Sequence, residues 1–154
     1  PVAVAAHGTT VGGGLGILLA GDYAIVGEGS RIGSRYANMG LTPDLSVSAQ
    51  LARAVGERRA LQLVLSDRML SGAEAVAWGL AAEQVPDAEV AARAEAVARS
   101  WVEGAATAYG RAKRLVRDAA HTGLREQLAE EARSIGAAYE TPEARGLTAA
   151  FAGR

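Results

Sequence analysis

The distribution of glycine constrains this chain more than any other feature of its sequence. Of 19 glycines in 154 residues, ten lie within the first 40, at positions 8, 12, 13, 14, 16, 21, 27, 29, 33 and 40. That density implies backbone packed closely against backbone or ligand in the amino-terminal quarter, because a residue without Cβ permits the approach. The remainder is alanine-rich and reads as helical. A hydrophobic share of 49% with 21% charged residues excludes disordered and collagen-like classes. Gly, Asp, Glu or Arg interrupts every apolar run well short of the roughly 20 residues of a membrane-spanning helix. Sixteen Lys+Arg against 17 Asp+Glu give a net charge of -1, without the basic surplus of a phosphate-backbone binder, so no nucleic-acid partner is expected. The chain has no cysteine, and its two histidines are His7 and His121, so no metal site is expected. Chemistry is left to oxygen side chains and backbone amides.

Residues 1–6, Pro-Val-Ala-Val-Ala-Ala, read as a buried strand entering a His7-Gly8 turn. The abrupt opening, without an initiator Met or signal peptide, suggests a start inside a longer polypeptide. Gly12 to Ala20 reads as a small-residue helix and Asp22 to Val26 as a second buried strand. Strand, glycine turn, helix and strand make a βαβ unit, which predicts an α/β class with parallel pairing. From Ser46 the period becomes helical. Ser71-Gly72-Ala73-Glu74 fits a capping box with Gly79 as the stop, and Thr141-Pro142 places an N-cap before a first-turn proline. Three apolar stripes follow: Val90, Ala94, Val97, Ala98 and Trp101; Ala108, Ala112, Leu115, Val116 and Ala119; Leu124, Leu128, Ala132, Ile135 and Tyr139. Pro86-Asp87 marks the change to purely helical structure, so residues 1–86 form an α/β part and 87–154 a helical part.

Gly12-Gly13-Gly14 lies between the first strand and the first helix, where free amides would form an oxyanion or phosphate cradle. Its spacing matches neither the dinucleotide fingerprint nor the Walker loop, and for three glycines taken alone tight helix-to-strand packing is the simpler account. Gly40-Leu41-Thr42-Pro43-Asp44 is a turn ending in a carboxylate just before a helix. Asp44 is either an N-cap or turn residue, or a general base whose pKa an apolar pocket raises. Tyr36, eight residues earlier, is a candidate to line the same pocket. His7 reads as a turn residue, His121 as a helix-end residue, and Trp78 and Trp101 as core or interface. The arginines and lysine at 58, 59, 111, 113, 114 and 117 read as solvated helix faces.

These segments resemble the enoyl-CoA hydratase/isomerase (crotonase) superfamily. The resemblance runs through Pro1 to Asp22, Gly40 to Gly56, Arg59 to Leu80 and Thr141 to Phe151, with several spaced motifs in order. It implies a crotonase-like (ClpP/crotonase) spiral of ββα units, here its second half, followed by carboxyl-terminal helices for trimerisation. It further implies an acyl-CoA substrate, a cytoplasmic homotrimer or hexamer, and no cofactor beyond the coenzyme A of the substrate. Two backbone amides would hold a thioester enolate. One belongs to Gly13, flanked by Gly12 and Gly14 on the binding turn with Tyr36 beside it; the other would come from a segment upstream of Pro1.

The resemblance also narrows the reaction. The family's hydratases carry glutamates at the positions of Gly16 and Tyr36, so both carboxylates are missing here. Asp44 remains, and its Pro-Asp context resembles the isomerase branch in which an aspartate shuttles a proton. It also resembles the nucleophile of 4-chlorobenzoyl-CoA dehalogenases. Isomerisation requires one base, whereas aryl halide displacement also needs a polarised ring, and hydration needs a group to activate water. A non-catalytic acyl-CoA-binding or structural subunit is the alternative of another class.

Overall fold

Two consecutive short strands open the chain where the sequence predicts one. In the computed structural model, which describes residues 1–153, β1 (Ala3–Ala6) and β2 (Thr9–Val11) are separated by Gly8, whose φ of 69° turns the backbone between them. β2 escapes sequence analysis because Thr9-Thr10-Val11 is too short for an alternating pattern. β1 is also less buried than predicted, with Ala5 exposed and Ala3, Val4 and Ala6 half-buried, because it stands at a sheet edge.

The same two-strand pattern then repeats. After α1 (Gly13–Ala20), β3 (Tyr23–Gly27) turns into β4 (Arg31–Gly33). The buried Ser30 hydroxyl fastens that corner, accepting the Gly27 N–H at 3.0 Å and donating to the Ala6 carbonyl at 3.3 Å. Next come α2 (Val47–Val55), α3 (Glu57–Val64), β5 (Leu70–Ser71), α4 (Gly72–Trp78), β6 (Glu83–Val85) and α5 (Val90–Glu103). One sheet has the order β1-β3-β6 and is parallel throughout, with Ala3 opposite Tyr23 and Ile25 opposite Glu83. The other has the order β2-β4-β5, with β2 and β4 parallel and β4 and β5 antiparallel. The predicted βαβ unit is present as β1, α1 and β3, and each strand pair sends one member to each sheet.

Helix ends follow local chemistry. Ser71 and Glu74 form the predicted capping box at α4, and Gly79 closes the helix in the left-handed region at φ 80°. α2 buries Val47, Leu51 and Val55 at the i, i+4, i+8 spacing of one helix face. With Leu15, Leu18, Val26, Ile32, Tyr36, Leu63, Leu70 and Leu80 they form the core. Close approach explains much of the glycine excess: a Cβ on Gly72 would lie 2.5 Å from the Gly27 carbonyl oxygen.

The described residues divide into two compact units, residues 2–98 and a second comprising Pro1 and the residues from Arg99 on. The second unit contains α6 (Ala106–Asp118), α7 (Leu124–Tyr139) and α8 (Pro142–Ala152). Thr141 caps α8 through the Ala144 N–H, as the sequence predicts. α6 and α7 are joined by polar contacts: Gln127 Nε2 donates to the Leu115 carbonyl at 3.1 Å, Arg111 to the Ser134 carbonyl at 3.1 Å, and Arg114 meets Glu130 at 2.7 Å. The predicted α6 and α7 stripes line a shared apolar groove through Ala108, Ala112, Leu115, Leu128, Ala132 and Ile135.

Candidate active site

The glycine triplet occupies the junction of β2 and α1. Gly12 has φ 55° and ψ -125°, and its N–H donates to the Ser34 carbonyl at 3.1 Å, which ties the junction to the end of β4. That backbone conformation favours a residue without Cβ. The Gly12 carbonyl accepts from Leu15 and Gly16, at 3.0 and 3.3 Å. Gly13 and Gly14 head the helix, where N–H groups have no carbonyl four residues back and the helix dipole favours negative charge.

Behind β4, Tyr36 starts a short 3-10 turn over Ala37–Met39 that Gly40 closes at φ 69°. Its carbonyl accepts from Met39 and Leu41, at 2.9 and 3.0 Å. The Tyr36 ring is buried in the core and passes the glycine junction, so that a Cβ built on Gly12 would lie 3.9 Å from Tyr36 Cζ. Its hydroxyl donates to Asp44 Oδ1 in a short hydrogen bond. This bond, reinforced by burial, raises the Tyr36 phenol above its ordinary 10.0.

Asp44 follows Thr42-Pro43, and its carbonyl accepts the Val47 N–H of α2 at 2.9 Å. The N-cap reading of Asp44 does not hold. Ser46 stands at that position without a side-chain cap bond, and the Asp44 carboxylate turns to Tyr36 instead. The apolar enclosure predicted around Asp44 is not supplied by the described residues, among which Asp44 is exposed because its turn runs along the surface ahead of α2. Leu45 and Ser46 both take left-handed backbone conformations, at φ 45° and 63°.

That turn brings in a residue the sequence did not single out. Leu45 lies over the first turn of α1: a Cβ on Gly13 would meet Leu45 Cδ1 at 3.2 Å, and one on Gly16 would lie 2.8 Å from Leu45 Cβ and 3.1 Å from its carbonyl oxygen. Gly16 is therefore small because Leu45 fills the adjoining space. The structure thus gathers Gly12, Gly13, Tyr36 and Asp44 around the start of α1. Gly14 lies to one side, exposed, with Thr10 Cγ2 at 3.8 Å from a Cβ built there. His7 is an exposed turn residue and His121 follows α6, its N–H bonded to the Asp118 carbonyl at 2.8 Å. Trp78 is half-buried, with Arg59 and Arg68 each stacked on its ring at 5.4 and 5.1 Å.

Strand pairs shared between two sheets, each followed by a helix, with a glycine junction at a helix start, define a crotonase-like α/β fold. The family model described as enoyl-CoA hydratase/isomerase matches residues 1–153, and the chain belongs to that family. A Bacillus subtilis protein named "Probable enoyl-CoA hydratase" is 31% identical over 98% of this chain and 59% of its own length. An Arthrobacter protein named 4-chlorobenzoyl coenzyme A dehalogenase-1 is 29% identical over 92% of this chain and 51% of its own. Among solved structures, an enoyl-CoA hydratase/isomerase from Cupriavidus metallidurans superposes with a TM-score of 0.88 at 33% identity, over 94% of this chain and 55% of that one. A Thermobifida fusca relative crystallised in complex with CoA has a TM-score of 0.79 at 30% identity, over 84% and 51%. The chain thus spans little more than half the length of the relatives it matches.

Proposed function

We propose that the protein acts on acyl-CoA thioesters and moves a carbon–carbon double bond from the 3,4 to the 2,3 position, with Asp44 as the proton shuttle. The observation that carries this reading is the Asp44 carboxylate, held by Tyr36 beside a helix start that offers the Gly13 N–H; the resemblance to the family's hydratases, which implies glutamates at the positions of Gly16 and Tyr36, argues in the same direction. Asp44 removes a proton from the α-carbon, and the electron pair of that C–H bond is delocalised onto the thioester oxygen and through the adjoining double bond. The resulting dienolate oxygen accepts from the Gly13 N–H and is favoured by the α1 dipole. The same carboxyl group then delivers the proton to the γ-carbon, which leaves the double bond at the 2,3 position, and no water enters the product. The CoA complex of the Thermobifida fusca relative supports the substrate class. A second oxyanion amide would come from the part of the family fold that lies outside this chain.

Asp44→Asn keeps the shape of the side chain but removes the base. Acyl-CoA binding persists while turnover, and deuterium exchange at the α-carbon, fall by roughly 100-fold or more. Unchanged exchange overturns the reading. The dehalogenase-named relative favours a second role, with Asp44 as nucleophile: displacement of halide from an aryl carbon would leave an ester on Asp44. Mass spectrometry of the protein quenched during turnover separates the two, because isomerisation leaves Asp44 unmodified.

A further inference from the structure

We propose that Tyr36 is the positioning residue for Asp44: its hydroxyl latches the carboxylate into one orientation relative to the amides at the start of α1. The inference rests on the reading of Asp44 as the base. Asp44 itself is exposed and sits in a turn whose next two residues, Leu45 and Ser46, hold left-handed backbone conformations at φ 45° and 63°. Neither is a glycine, and such conformations persist where surrounding contacts enforce them. A carboxylate on such a turn has little of its own to fix its rotamer.

Tyr36 supplies what the turn lacks. Only 6% of it is exposed, and the ring packs within the same core cluster as Leu15 and Val47, which fixes where its hydroxyl can reach. The ring passes Gly12, whose added Cβ would stand 3.9 Å from Tyr36 Cζ, so one rigid side chain touches both the glycine junction and the carboxylate. Oδ1 is held by the phenol, and Oδ2 is left as the oxygen that takes up a proton. No proton passes through Tyr36; the phenol stays the donor throughout, a role that its raised pKa supports. Fixing a reacting group in this way contributes through orientation, and misplacement by about 1 Å can cost on the order of 100-fold in rate.

The test is a cycle of Tyr36→Phe, Asp44→Asn and the double variant. Tyr36→Phe keeps the ring and its packing, so the melting temperature stays close to that of the parent. It lowers kcat by about 10- to 100-fold with KM nearly unchanged, the pattern of a lost orientation in the transition state. In the Asp44→Asn background it causes no further loss, because the hydrogen bond no longer serves a base. An unchanged kcat in Tyr36→Phe, beside a lost one in Asp44→Asn, overturns the inference and leaves the base reading intact. Full additivity in the double variant also overturns it, since Tyr36 would then act independently of Asp44. Unchanged turnover in Asp44→Asn overturns the base reading and this inference with it. If Tyr36→Phe melts lower, the same additivity comparison made well below its transition still decides between these outcomes.

Discussion

At the scale of single residues, the Tyr36–Asp44 hydrogen bond has a consequence that can be read without any substrate. The phenol is held above its ordinary 10.0 because its proton is shared with Asp44 and its ring is buried. A group whose folded pKa is raised stabilises the fold fully below its unfolded value, and that contribution is lost as pH rises through the folded value. In an alkaline titration followed by phenolate absorbance, the Tyr36 phenol therefore ionises later in the parent than in Asp44→Asn, which moves it back toward 10.0. A titration in which Asp44→Asn leaves the Tyr36 phenol unmoved would show that the pair is not formed in solution. Asp44 and Gly13 could be singled out as candidates in the sequence because each stands in a short motif with few chemical readings. The Tyr36 contact was not, since an eight-residue separation alone does not direct a phenol toward a carboxylate. Leu45 was invisible for a related reason: a leucine in a turn carries no signal until the backbone places it over Gly13 and Gly16.

At the scale of elements, legibility follows the strength of local chemistry. The capping box at Ser71 and Glu74, the Gly79 stop and the Thr141-Pro142 start are all present, because each satisfies backbone groups from within a few residues. β2 and β5 were missed, because two or three residues carry no period and are held by pairing with β4 from elsewhere in the chain. α2 shows how an element serves the site, since its buried face holds the Asp44 turn against α1. Val47 follows that turn directly, and Leu51, fully buried one turn on, anchors the helix in the core. Leu51→Ala leaves a cavity there and lowers stability by about 2–5 kcal/mol, measured by urea unfolding, with the midpoint shifting and the slope preserved. A loss below about 1 kcal/mol would mean that α2 is not docked as described and that the Asp44 turn is fixed by other means.

At the scale of the whole molecule, the helical unit leaves several large apolar side chains exposed among the described residues. Leu124, Leu128, Ile135 and Tyr139 on α7 are 77%, 55%, 70% and 63% exposed, and Phe151 on α8 is 80% exposed. Scattered apolar residues are ordinary, but these recur at helical spacing along one helix and continue onto the next, which makes a contiguous patch. The predicted α7 stripe is thus real in spacing, and among the described residues its large side chains are exposed, while Gln127 and Arg111 make polar contacts between α6 and α7. We propose that other copies of the same chain cover this surface about a threefold axis, as the resemblance to crotonases implies. Self-association through α7 and α8 is therefore expected. Sedimentation of the protein at micromolar concentration should give a trimer or a pair of trimers, and the paired substitutions Leu128→Glu and Ile135→Glu should shift it to monomer. Exposed glutamates suit a solvated helix face, so helical content stays as in the parent if the patch is an interface. A parent that sediments as a monomer, or a double variant that remains assembled, would assign these faces to some other contact.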